Sequence, residues 1–162
     1  MPKLALDEVT LHYEISGKGP PLVMLAGMLS DSASWAPLLP LLEPHFTLIR
    51  PDNRTTGRTV PWDAPASVAH FAQDALALID HLGLTETHVL GHSMGGMIAM
   101  ALARTASNRV TTLTVAATAP IRLTRNLLLF RTLVAIRRSD APPETWLHAL
   151  FPWLFAPAVF DI

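Results

Sequence analysis

The stretch Gly91-His92-Ser93-Met94-Gly95-Gly96 sets a serine between glycines at a spacing that suits nucleophilic chemistry. A serine hydroxyl can attack a carbonyl only if it stands clear of its surroundings, next to donors that hold the charge developing on the carbonyl oxygen. A strand that turns sharply into a helix, with the serine at the turn, meets both needs. Bulky side chains two residues before and after the serine would collide in so tight a bend, and Gly91 and Gly95 remove them. A helix starting at Ser93 brings unpaired N–H groups and the positive end of its dipole to a developing oxyanion. Gly-x-Ser-x-Gly alone arises by chance in about one chain in twenty of this length, so the flanks decide. Thr87-His88-Val89-Leu90 is β-prone, and residues 97 to 103 are helix formers.

Other segments carry a compatible pattern. Leu22-Val23-Met24-Leu25 reads as a short buried strand, followed by Ala26-Gly27-Met28 and by Ser34-Trp35 opening a helix. Phe46-Thr47-Leu48-Ile49 reads as a strand that leads into Asp52-Asn53-Arg54-Thr55-Thr56-Gly57-Arg58-Thr59. Asp52 and Arg54 read better as a structural clasp of this loop than as catalytic groups.

Taken in order, residues 1 to about 120 resemble the N-terminal part of the α/β-hydrolase fold, nearest to its serine esterase, lactonase and carbon–carbon bond hydrolase branch. The Ser93 turn is similar to that family's nucleophile elbow. Ala26-Gly27-Met28 resembles its His-Gly-x loop, with Ala26 where the family carries His. The Asp52 loop resembles Asp-x-Arg-Gly-x-Gly-x-Ser: Asp52, Arg54 and Gly57 match, while Thr55 replaces a Gly and Thr59 a Ser. Dehalogenases and epoxide hydrolases share the fold but carry Asp at the elbow, so Ser93 argues against them. The resemblance implies Ser93 as nucleophile and the backbone N–H groups of Met28 and Met94 as oxyanion donors. It further implies a small-molecule substrate with an ester, lactone or activated carbonyl, an acyl-enzyme, and no cofactor. Two alternatives stand beside this expectation: a catalytically incomplete hydrolase-like protein that binds a ligand or partner, and a cofactor-free perhydrolase or haloperoxidase.

The elements needed to position these groups can be read along the chain. Residues 4–6 and 9–15 alternate like antiparallel strands, and residues 16–21 form a turn-rich hairpin or linker. Residues 34–42 suit a helix bent by Pro37 and Pro40. Residues 67–82 suit a helix with Val68, Phe71, Ala75, Leu78 and Leu82 on one face, Asp74 and His81 off it, and Gly83 as its stop. Residues 110–116 form another strand. The expected fold is α/β, a mostly parallel sheet with helices on both faces, reaching a sixth strand. Residues 1–119 form its core. Residues 120–162 begin a helical cap, with Leu123, Leu127, Phe130 and Val134 on one helix face and an apolar run over residues 146–155.

Composition narrows the partners. Of the 162 residues, 50% are hydrophobic and 15% charged, with a net charge of −1, so nothing draws the chain to nucleic acid. No apolar run reaches the roughly 18 residues of a membrane span, and no basic-then-apolar leader opens the chain, so a cytoplasmic location is expected. There is no cysteine, and no metal-ligand spacing of His and carboxylate stands out. Between Glu86 and Asp140 the sequence holds no acid but seven arginines: 104, 109, 122, 125, 131, 137 and 138. A solvated face, or one paired with acids from elsewhere, explains them better than a basic rim for an anionic substrate.

A serine nucleophile needs a base. The family order is Ser, acid, His, with the last two beyond the cap, and this chain stops inside it. His92 adjoins the serine but points away as a packing residue, and His12, His45, His70, His81 and His88 fall on elements away from it. Asp140 and His148 follow Ser93 in the right order but lie in the expected cap. The strand at residues 110–116 would be left as an open edge beside exposed apolar surface. The chain is therefore expected to be inactive alone and to pair with a C-terminal half of the fold or with itself.

Overall fold

The computed structural model describes residues 2–120 and 124–160. Two compact units divide the chain, Met1–Pro120 and Ile121–Ile162.

The first unit is a six-stranded sheet in the order β1-β2-β4-β3-β5-β6. Its strands are β1 (Lys3–Ala5), β2 (Thr10–Gly17), β3 (Pro21–Leu25), β4 (Thr47–Pro51), β5 (Thr87–His92) and β6 (Val110–Ala116). β1 and β2 form an antiparallel flank, with β2 running against β4 from Tyr13 opposite Pro51 to Gly17 opposite Thr47. The other four strands are parallel. β3 lies between β4 and β5 and is covered on both faces, which is why its sequence is continuously apolar rather than alternating. β4 separates β2 from β3, so residues 18–20 are a linker between non-adjacent strands and not a hairpin.

Alternation along the strands sorts the core into two layers. Val23, Leu25, Ile49 and Val89 face α2 (Val68–His81) and α3 (Met94–Thr105), packing on Phe71, Ala75, Leu78, Ile98 and Leu102. Leu22, Met24, Ala26 and Leu48 face the other way, against Trp35. The region expected as one bent helix over residues 34–42 is instead a 3₁₀ segment, Ser32–Leu38, followed by the single turn α1 (Leu39–Leu42). Pro37 and Pro40 each lack the N–H that an α-helix would need there. The segment starts early because the Asp31 carboxylate accepts the Ala33 N–H at 3.0 Å.

α2 starts at Ser67, whose hydroxyl accepts the His70 N–H, and ends at Gly83 with φ 66°. One expectation for it fails: Asp74 is not off the buried face but buried within it. Arg54 meets it there, and that partner lies outside any periodicity of the helix.

In the second unit α4 (Thr124–Arg137) and α5 (Pro143–Leu154) bury Leu133 and Leu150. Of the stripe expected on α4, Phe130 and Val134 are exposed and Leu127 is half-buried; Leu123 lies outside the described residues. Arg125, Arg131, Arg137 and Arg138 are all exposed, whereas Arg109 in the first unit is held by Asp80 and the carbonyls of Leu84 and Thr85. Among the described residues no helix is long and apolar enough to cross a membrane.

Candidate active site

Ser93 sits between the end of β5 and the start of α3 with φ 53° and ψ −120°. An L-residue other than glycine is strained at positive φ and persists there only when its surroundings over-determine it. The surroundings do so here. The Ser93 N–H donates to the Ala116 carbonyl at the end of β6 (2.9 Å), and the Ser93 carbonyl accepts from Gly96 N–H (3.0 Å). On Gly91 a Cβ would run into the Gly95 backbone, and on Gly95 into the Leu25 and Ala26 carbonyls. Strand, turn and helix therefore close on one another only because both side chains are missing.

The loop after β3 lies against this turn. A Cβ on Gly27 would fall 3.3 Å from the Ser93 Cβ and 3.4 Å from His92 Nδ1. Residues 27–30 make a β-turn closed by Ser30 N–H to the Gly27 carbonyl at 3.2 Å, with Leu29 at φ 63°. The Gly27–Met28 peptide is trans, so Met28 N–H points opposite to that carbonyl, out of the turn. Neither Met28 N–H nor Met94 N–H has an acceptor among the described residues. Met94 N–H is one of the first amides of α3, which helix geometry leaves unpaired. Ser93, Gly27-Met28 and Met94 are thus brought together by two loops at the C-terminal ends of adjacent parallel strands, β3 and β5.

Asp52 and Arg54 are placed under this site rather than in it. The Asp52 carboxylate is wholly buried and accepts Ser32 N–H (2.8 Å) and Arg58 N–H (2.9 Å). Burial alone would raise its pKa, but those two amide bonds, together with the Ser32 side chain and the His12 charge, outweigh it and hold the group below the usual carboxylate value. Arg54 is buried and spends its guanidinium on Asp74, Glu8 and the Pro65 carbonyl. Sequence reasoning missed Asn53 between them, whose side-chain amide donates to the Ala26 carbonyl at 3.0 Å. Nothing in its spacing signals that contact.

Among the described residues Ser93 Oγ has no hydrogen-bond partner. His12 is buried on β2, His88 bonds Thr112 at 2.8 Å, and His45 and His81 are exposed. Asp140 and His148 are exposed in the second unit. No group of three His, Asp or Glu residues able to hold a metal occurs among the described residues.

Residues 20–146 match the alpha/beta hydrolase fold family. This chain belongs to that family. Among curated relatives of this alpha/beta hydrolase, the protein named as carbamate hydrolase RutD of Azorhizobium caulinodans is 36% identical over 115 residues, covering 71% of this chain and 43% of the relative. The namesake from Caulobacter vibrioides is 37% identical over 110 residues, 65% of this chain and 41% of the relative. The chain thus spans less than half the length of these curated relatives. Among solved structures, a hydrolase from Pseudomonas aeruginosa superposes with a TM-score of 0.86 at 29% identity, over 99% of this chain and 61% of that one. The enol-lactonase of Burkholderia xenovorans gives 0.84 at 26% identity, over 99% and 62%. Within the alpha/beta hydrolase frame, Ala26 and Thr55 remain departures from the motifs noted above.

Proposed function

We propose that the protein is a serine hydrolase in which Ser93 attacks an ester, lactone or similarly activated carbonyl. The observation that carries this reading is the Ser93 backbone: a strained φ of 53° fixed by bonds on both sides, with a hydroxyl and two nearby amides that have no partner among the described residues. Attack by Ser93 Oγ would move the carbonyl π electrons onto oxygen, and Met28 and Met94 N–H would hold that charge. Each donor would contribute about 3 kcal/mol to transition-state stabilisation. The Ser93 proton would pass to a general base and from it to the departing alcohol, enol or amine as the intermediate collapses, leaving an acyl-enzyme that water, deprotonated by the same base, then cleaves. A carbamate and an enol-lactone, the compounds for which the relatives are named, both fit this chemistry.

The general base is assigned to residues outside this chain. Among the described residues β6 has a neighbour on one side only, and Leu113 and Val115 are 40% and 44% exposed although they lie in a parallel strand. A further part of the fold, or failing that a second copy, would cover this flank and bring the histidine and acid. Residues 120–162 are read as the start of a helical cap.

A fluorophosphonate probe applied to the full chain with any companion tests the reading. Labelling of Ser93 that disappears in Ser93→Ala is expected. An unlabelled wild-type protein that retains a ligand unaltered would replace this reading with that of a hydrolase-like binding protein.

A further inference from the structure

The loop that carries Met28 is gripped at both ends by two consecutive residues. Asp52 accepts Ser32 N–H at 2.8 Å, and Asn53 donates from Nδ2 to the Ala26 carbonyl at 3.0 Å. All four residues are buried. The grip is itself immobilised. Asp52 is tied a second time through Arg58 N–H, the Asn53 carbonyl accepts Thr56 N–H (3.0 Å), and Arg54 next along is locked onto Asp74, Glu8 and Pro65.

The loop needs such a grip. Leu29 stands at φ 63° while 64% exposed, so no packing of its own side chain holds it there. A left-handed conformation costs a residue with a Cβ about 1–2 kcal/mol. A loop free to relax would release Leu29 and rotate the Gly27–Met28 peptide, whose orientation sets the direction of Met28 N–H. The Ala26 carbonyl, buried in the same place, would also lose its partner if Asn53 withdrew.

We propose that Asn53 is a positioning residue for the reaction at Ser93: its amide fixes the Ala26–Gly27 peptide and thereby aims Met28 N–H at the oxyanion. This rests on the serine hydrolase reading above. Asn53 touches neither substrate nor nucleophile; it acts through the loop. The backbone of residues 26–28 is thus oriented by a side chain of another strand's loop.

The test uses the full chain with any companion and two variants, Asn53→Leu, which keeps the volume and removes the donor, and Asn53→Ala. Active sites are counted by fluorophosphonate titration, and kcat per titrated site and KM are measured with an aryl ester. We expect kcat per site to fall by about tenfold to a hundredfold, with KM changed less than twofold. A merely structural role would lower the number of titrated sites and leave kcat per site unchanged. Amide exchange at Ser30, which reports the turn bond to Gly27, is read in parallel and is expected to quicken by about tenfold in both variants while β4 stays protected. If wild-type Ser93 takes no probe, the serine hydrolase reading fails and the Ser30 amide alone decides whether Asn53 holds the loop. Unchanged Ser30 exchange, or an unchanged kcat per titrated site, overturns the proposal.

Discussion

Arg54 and Asp74, 20 residues apart, meet as a two-point ion pair: Nε to Oδ2 and Nη2 to Oδ1, each 2.7 Å, with both side chains buried. The pair joins the loop after β4 to the middle of α2, and Asp74 is the first cause of the raised pKa of the guanidinium. Breaking a buried pair by removing one partner is far costlier than replacing both, because the survivor keeps an uncompensated charge. Asp74→Asn leaves buried Arg54 with only the half-exposed Glu8 as a charged partner among the described residues. It is therefore expected to lower unfolding free energy by up to about 3–5 kcal/mol, and the double variant Arg54→Met/Asp74→Leu by less. Urea denaturation of the three proteins checks this. Equal losses in the single and double variants would contradict it.

Ser93→Gly should separate stability from chemistry. Glycine tolerates φ 53°, so the variant is expected to gain about 1 kcal/mol while losing all reaction with a phosphonate probe. A melting temperature below that of the native protein would show that the serine is not strained.

Gly95→Ala acts in the opposite direction. The new methyl would overlap the Leu25 carbonyl, which belongs to the central strand and cannot swing aside. A loss of about 1–3 kcal/mol is expected, with the start of α3 and Met94 N–H displaced from Ser93. Denaturation and probe labelling measured together check both parts.

Stability should fall with acid in two steps. Among the described residues the buried ring of His12 has no hydrogen-bond partner; the Glu14 carboxylate lies 3.8 Å from it, too long for a bond. Burial pushes its pKa below 6.5, and the Arg58 charge pushes the same way against the opposing Asp52 and Glu14. The unfolded chain then takes up a proton near 6.5 before the native one does. His12 thus contributes stability that is fully present above 6.5 and drains away as pH falls toward its native value. Asp52, held below 3.8 in the native state, adds a lower step with the same sign. Urea midpoints measured at decreasing pH should show both steps, and His12→Leu should remove the upper one alone.

The exposed flank of β6 predicts association. Leu113 and Val115 lie two residues apart and so share a face. Leu113→Glu/Val115→Glu is expected to weaken pairing with a companion or second copy at least tenfold, read by sedimentation. An unaffected equilibrium would place the contact elsewhere.

What the sequence made legible was local. Gly91, Ser93 and Gly95 lie within five residues, and β-prone and helix-prone flanks sit on either side, so the turn could be read directly. The strands β3 to β6 were readable for the same reason, each being a short apolar run bounded by turn residues. Asp74 was misread because periodicity assigns a charged residue to solvent; only the fold brings Arg54 to it. Asn53 was invisible because its role depends on a carbonyl 27 residues earlier in the chain. The α4 stripe failed for another reason: a helix rich in leucine on all sides gives periodicity little contrast, and Leu133 proved the buried position.

The bond from Ser93 N–H to the Ala116 carbonyl has an energetic corollary. It couples the nucleophile to the strand that is least covered. Any partner that binds β6 only when that bond is formed favours the reactive backbone of Ser93. Reciprocity then requires that an inhibitor locking Ser93 in this geometry tighten the partner by the same factor. Occupancy at the serine and occupancy along β6 are then linked by one shared coupling factor.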